Sequence, residues 1–144
     1  MTNPLAIRMM NHNDHRGSFS TLCNVPVREV CYSSNPRAPT LRGLHFQTEP
    51  HSQAKVVHCL RGRLFDVAVN LRTLEVYTAE LRPGWQMRVP HGHAHGFLTL
   101  EDDTEILYLM SEAYVGSASK GLRYNDPILA IQWPMEPSLI SERD

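Results

Sequence analysis

A chain of 144 residues is ordinary for one domain, and at that size folding buries about 68–70% of the surface an unfolded chain exposes. With 14 basic against 15 acidic side chains and a net charge of −1, it carries neither the basic footprint of a nucleic-acid binder nor a membrane-seeking tail. Its three cysteines, Cys23, Cys31 and Cys59, are odd in number and lack CxxC spacing, which argues against a disulfide framework or zinc site and fits a reducing compartment.

Met1-Thr2-Asn3-Pro4 shows neither a charged leader region nor an apolar one, and no apolar run approaches the ~18 residues of a membrane helix. A soluble, cytoplasmic protein is expected. Along the chain, Pro36 to Pro39 reads as a surface loop. Short β-type runs then follow at intervals of about ten residues, set off by turn residues. Lys55 to Leu60 is the first, Arg61-Gly62-Arg63 turns the chain, and Leu64 to Leu71 is the second. Val76 to Leu81, Gln86 to Val89, His95 to Leu100 and Glu105 to Ser111 complete the series, with turns at Pro83-Gly84 and Glu101-Asp102-Asp103. No run of ten or more residues has helical period. Even spacing of short strands predicts one all-β domain over residues 1–144, an antiparallel sandwich or jelly roll with little helix.

Alternation sorts the side chains of these strands into faces. Phe65, Val67, Val69 and Leu71 form an apolar, core-facing set. Leu64, Asp66, Ala68 and Asn70 form the other set, suited to solvent or to a lined cavity. In Glu105 to Ser111 both faces are mostly apolar, so that strand is expected to be covered on both sides, and the Tyr108 hydroxyl then needs a partner.

The most informative stretch is Leu41-Arg42-Gly43-Leu44-His45-Phe46-Gln47, followed by Lys55 and by Pro90-His91-Gly92-His93-Ala94-His95-Gly96-Phe97. An imidazole base, two cations and further histidines on short strands could grip an anion and move a proton. Asp14-His15-Arg16-Gly17-Ser18-Phe19, Ala54-Lys55-Val56-Val57, Phe65-Asp66-Val67-Ala68-Val69, Tyr124-Asn125-Asp126-Pro127, Trp133-Pro134 and Leu139-Ile140-Ser141-Glu142-Arg143-Asp144 accompany them in order. Taken together, from about Asp14 to Asp144, these segments resemble the dTDP-4-dehydrorhamnose 3,5-epimerase family of cupin-type jelly rolls.

The resemblance implies a metal- and cofactor-independent isomerase that acts on a nucleotide-linked 4-keto-6-deoxy sugar, dTDP-linked in the family, inverting C3, C5 or both. Hydrogens beside the ketone are acidic because the carbanion delocalises onto the carbonyl oxygen. Inversion then needs a base on one face, an acid on the other, and a cation or donor near the enolate oxygen. By family position, His45 is the base, Asp144 the carboxylate that orients it, Tyr108 the opposite-face acid and Lys55 the enolate stabiliser. Arg42 and His95 match diphosphate contacts, and Gln47, Asp66, Tyr114 and Arg143 match other residues at the substrate. Arg16 and Phe19 match a segment that reaches into the neighbouring subunit's site, so a homodimer is implied.

The chain is shorter than is usual for the family between Asn70 and Trp85 and at its C-terminus. A polar pair that the family carries ahead of the RGLH string falls here on Val30 and Tyr32. Two other readings stay open. Pro90-x-Gly92-x-x-His95 matches the second motif of metal cupins, so a metal-dependent enzyme using His45, His91, His93 and His95 is one alternative. A non-catalytic sugar-nucleotide binder is the other. His51 and His58 have no motif support.

Overall fold

The computed structural model describes residues 3–144, which form twelve strands and one short 3-10 turn at Gly116–Ala118. The strands are β1 (Ala6–Arg8), β2 (His12–Asp14), β3 (Gly17–Phe19), β4 (Glu29–Asn35), β5 (Leu41–Gln47) and β6 (Lys55–Arg61). After these come β7 (Leu64–Asn70), β8 (Val76–Leu81), β9 (Trp85–Val89), β10 (His93–Thr99), β11 (Thr104–Met110) and β12 (Ser119–Gly121). One five-stranded sheet runs β1-β9-β6-β11-β4, a second runs β12-β5-β10-β7-β8, and every ladder within them is antiparallel. Two such sheets packed face to face make the expected cupin-like jelly roll.

All six strands expected between Lys55 and Ser111 are present within two residues of their expected ends. The RGLHFQ string is itself a strand, β5, placed centrally in the second sheet between β12 and β10.

Burial of β7 departs from expectation. Leu64 and Ala68 belong to the inter-sheet core with Val57, Cys59, Leu81, Met87, Val89, Phe97 and Ile106. Val67 and Val69 lie on the other side, with Leu44, Ala94 and Leu129, under a cover that includes Leu122, Ile131 and Trp133. The second sheet is therefore buried on both faces, because the chain after β12 crosses its outer surface. That is why Asp66, fully buried on β7, looks into the interior and not into solvent. On β11 the inward set is Ile106, Tyr108 and Met110, while Leu107 and Leu109 are only half-buried, so the outer cover there is partial.

The last seven residues return to β5. Leu139 makes a parallel bridge to Thr40 and accepts from the Leu41 amide at 2.9 Å. This contact holds the C-terminal segment against the mouth of the sandwich.

Candidate active site

Between the sheets lies a cavity of about 650 Å³. His45, Arg42 and His95 reach it from β5 and β10, and Lys55 and Tyr108 from β6 and β11 on the facing sheet. Arg143 and Asp144 close one side from the returning C-terminal segment.

Backbone close packing sets the two histidines side by side. Gly43 has φ +115, a conformation that favours glycine, and a Cβ there would stand 2.6 Å from the Cα of Gly96. A Cβ on Gly96 would in turn meet the Arg42 carbonyl oxygen at 2.8 Å. The ladder between β5 and β10 shifts register at this point, and His45 pairs directly with His95. The glycines of the RGLH and HAHG strings are thus what lets the two imidazole-bearing strands approach.

His45 Nε2–H donates to Asp144 Oδ1 at 2.6 Å, and the Gly43 amide donates to Asp144 Oδ2 at 3.2 Å. The Asp144 backbone amide bonds the Ser141 carbonyl at 3.0 Å, so this aspartate is held at three points. Burial alone would raise its pKa, but the His45 bond, the Gly43 amide and the nearby cations outweigh burial and hold it below 3.8. An ionised carboxylate accepting from Nε2 leaves Nδ1 as the basic nitrogen. Burial pulls the His45 pKa below 6.5, against the opposing pull of Asp144, so the imidazole is neutral near pH 7.

Lys55 is 8% exposed, and among the described residues no protein group hydrogen-bonds its amine. Burial pushes its pKa down to about 8, with the Asp66 charge pulling the other way. His95 Nε2 and Asp66 Oδ1 share a 2.7 Å hydrogen bond, both side chains fully enclosed, while Asp66 Oδ2 has no partner among the described residues. Burial raises the Asp66 pKa. Tyr108 has its hydroxyl 3.0 Å from Ser33 Oγ; burial raises its pKa well above 10, and the Ser33 bond opposes that rise.

The remaining expected residues divide. Arg42 faces the cavity with its Nε bonded to Asn35 Oδ1 at 2.9 Å. Arg143 is 3.8 Å from Asp144 and largely exposed. Tyr114 stands over an adjoining recess shared with Glu29, Cys31 and Lys55. Gln47 lines the same recess and also braces a loop: its amide donates to the His51 and Ala113 carbonyls and accepts from the Val115 amide. Arg16 and Phe19 sit on the β2–β3 hairpin, Phe19 71% exposed, and neither lines the cavity of its own chain.

Val30 and Tyr32, the pair expected ahead of RGLH, are exposed on the outer face of β4, away from the cavity. Cys31 and Ser33 are the β4 side chains that face the cavity, with Glu29 on the adjoining recess. Period-two alternation through Glu29-Val30-Cys31-Tyr32-Ser33-Ser34-Asn35 was the available signal. His91 and His93 bond backbone carbonyls of Ser52 and His91. Among the described residues no three His, Cys, Asp or Glu side chains are gathered to hold a metal ion.

Known proteins place this arrangement. A dTDP-4-dehydrorhamnose 3,5-epimerase from Sinorhizobium fredii is 40% identical over 156 residues, spanning 96% of this chain and 80% of that protein. Among solved structures, the Bacillus anthracis dTDP-4-dehydrorhamnose 3,5-epimerase with TDP and PPi bound superposes with a TM-score of 0.87 at 32% identity, covering 94% of this chain and 87% of that one. A 3'-monoepimerase from Streptomyces bikiniensis in complex with dTDP-quinovose superposes with a TM-score of 0.85 at 29% identity, covering 96% and 79%. The family model for dTDP-4-dehydrorhamnose 3,5-epimerase matches residues 1–144, and the chain accordingly belongs to that family of sugar-nucleotide isomerases.

Proposed function

We propose that the chain epimerises a dTDP-linked 4-keto-6-deoxy sugar at C3, C5 or both by proton transfer through an enolate. The observation that carries this reading is one cavity with a carboxylate-oriented neutral imidazole on one sheet and a buried phenol on the other. A sugar ring lying between the sheets presents one face to His45 and the opposite face to Tyr108.

In this mechanism His45 Nδ1 takes the proton beside the ketone. The C–H pair moves into the ring and the negative charge onto the carbonyl oxygen, where the Lys55 ammonium stabilises it. Asp144 holds the imidazolium that forms. Tyr108 O–H then delivers a proton to the same carbon from the other face, inverting it. Arg42, with His95 and Arg143 nearby, provides the donors for the diphosphate, the guanidinium through its planar fork. The Bacillus anthracis relative, which carries TDP and PPi, and the Streptomyces bikiniensis one, which carries dTDP-quinovose, support the nucleotide assignment. A cytoplasmic homodimer completes the proposal, with Arg16 and Phe19 of each hairpin entering the partner's site.

The test is incubation with dTDP-4-keto-6-deoxyglucose in deuterated water, read by mass and proton NMR. Deuterium at C3 and C5 identifies a double epimerase, and deuterium at one carbon a single-site enzyme. His45→Ala should abolish incorporation at every position; persistent exchange in that variant removes His45 as the base.

A further inference from the structure

Inversion leaves the enzyme in the wrong protonation state. His45 ends with an extra proton and Tyr108 ends as a tyrosinate, so both must exchange with solvent before the next inversion. His45 is partly exposed and does so directly. Tyr108 is half-buried and faces the cavity that the sugar occupies in the proposed mechanism, and among the described residues Ser33 is the one side chain bonded to its hydroxyl.

Ser33 sits at the end of a directed chain. Arg42 Nε–H donates to Asn35 Oδ1 at 2.9 Å, and Asn35 Nδ2–H donates to the Thr104 carbonyl at 3.1 Å and to Ser33 Oγ at 3.2 Å. A guanidinium only donates and a carbonyl only accepts, so these partners fix which end of the Asn35 amide is which. Asn35 is 1% exposed and cannot turn to water instead. Ser33 Oγ accepts from Asn35, and when Ser33 turns its own proton to Tyr108 the Tyr108 O–H is left free to point at the sugar. Ser33 also lines the cavity, in reach of water.

We propose that Ser33 is the relay that reprotonates Tyr108 between inversions, and that Asn35 is the positioning residue that sets its direction. This rests on the reading of Tyr108 as the acid. In the step, Tyr108 O–H breaks as the carbon–hydrogen bond forms. The Ser33 proton then moves to the tyrosinate oxygen while Ser33 Oγ takes one from a cavity water. The His45 imidazolium returns its proton to solvent, so charge and protons balance over the cycle.

Single-turnover and steady-state kinetics separate a relay from a brace. With enzyme in excess over dTDP-4-keto-6-deoxyglucose, Ser33→Ala should perform its first inversion within about twofold of the wild-type rate, since Tyr108 starts protonated. In steady state its kcat should fall by about 10²-fold, the range of one proton transfer, and KM should fall with it, because kcat/KM does not include the regeneration step. Ser33→Thr should restore kcat, and Asn35→Asp, which cannot donate to Ser33, should behave as Ser33→Ala. Parallel loss of first-turnover and steady-state rates would make Ser33 a brace and overturn the relay, as would an unchanged kcat. Tyr108→Phe is the control: retained inversion there removes the acid and the relay together, whereas lost inversion there with normal kcat in Ser33→Ala removes the relay alone.

Discussion

His45 must be neutral before proton abstraction and cationic after it, and its surroundings pull that equilibrium in opposite directions. Burial disfavours the cation, while the hydrogen bond and charge of Asp144 favour it, and the balance lies below 6.5. A base works only unprotonated, so kcat/KM should fall as pH drops through a value below 6.5. Lys55, with a pKa of about 8, loses its charge as pH rises through that value, which should give an alkaline limb there. Asp144→Asn removes the contribution that raises the His45 pKa. The acid limb should then move to lower pH while kcat falls by about 10²–10⁴-fold, as expected for damaged general-base catalysis. A limb that stays in place in a pH series on Asp144→Asn would show that the carboxylate does not govern the base. As residues of the cavity, His45, Lys55 and Asp144 were legible because each sits in a short, ordered string, and Tyr108 through its family position on a strand. What the RGLHFQ string does not reveal is that the Gln47 amide also holds residues 113–115. Ser33 and Asn35 escaped because their partners, Tyr108 and Thr104, lie 75 and 69 residues away.

Elements were legible where alternation and turn residues coincide, which holds from β6 to β11. They were not legible where pairing alone holds the strand. The β2–β3 hairpin is exposed at every position and rests on its own ladder and an Asp14 turn in which the Arg16 amide bonds Asp14 Oδ1 at 2.8 Å. β4 escaped because its inward face is polar: it lines a cavity, so hydrophobic alternation carries no signal. What aligns β5 with β10 is the mutual approach of Gly43 and Gly96, and this gives a prediction at the level of the strand pair. Gly96→Ala forces a methyl against the Arg42 carbonyl and the Leu44 side chain. Overpacking of that kind costs about 1–3 kcal/mol, and roughly 2–4 °C of melting temperature accompanies each kcal/mol in a chain of this size. Thermal melts should show the loss, and exchange assays should show a larger fall in activity than stability explains, because His45 and His95 ride on the displaced strands. Normal activity at a lowered melting temperature would mean that the glycine contact serves packing alone.

Across the whole molecule, the second sheet is buried on both faces, the first only in part, and the N-terminal hairpin pairs with neither. An unpaired hairpin carrying Phe19 71% exposed, beside Met10 at 79%, is apolar surface of the kind expected to find cover in a partner. Among the described residues Arg16 bonds only Asp14, and neither Arg16 nor Phe19 lines the cavity they are proposed to serve. If the hairpin acts in the partner's site, each complete site draws His45 from one chain and Arg16 from the other. Arg16→Ala and His45→Ala homodimers should then both be impaired, the first mainly in KM and the second in kcat. Mixing and reassociating the two gives mixed dimers in which one site receives both mutations and the other receives neither. With random pairing in the two-fold symmetric dimer proposed above, half the dimers are mixed and each has one intact site, so activity should recover to about a quarter of wild type. Action within one chain predicts no recovery, because no mixed dimer then contains an unmutated site. Sedimentation of the mixture fixes the dimer fraction, so absent recovery in a sample shown to be dimeric would place Arg16 outside the partner's chemistry.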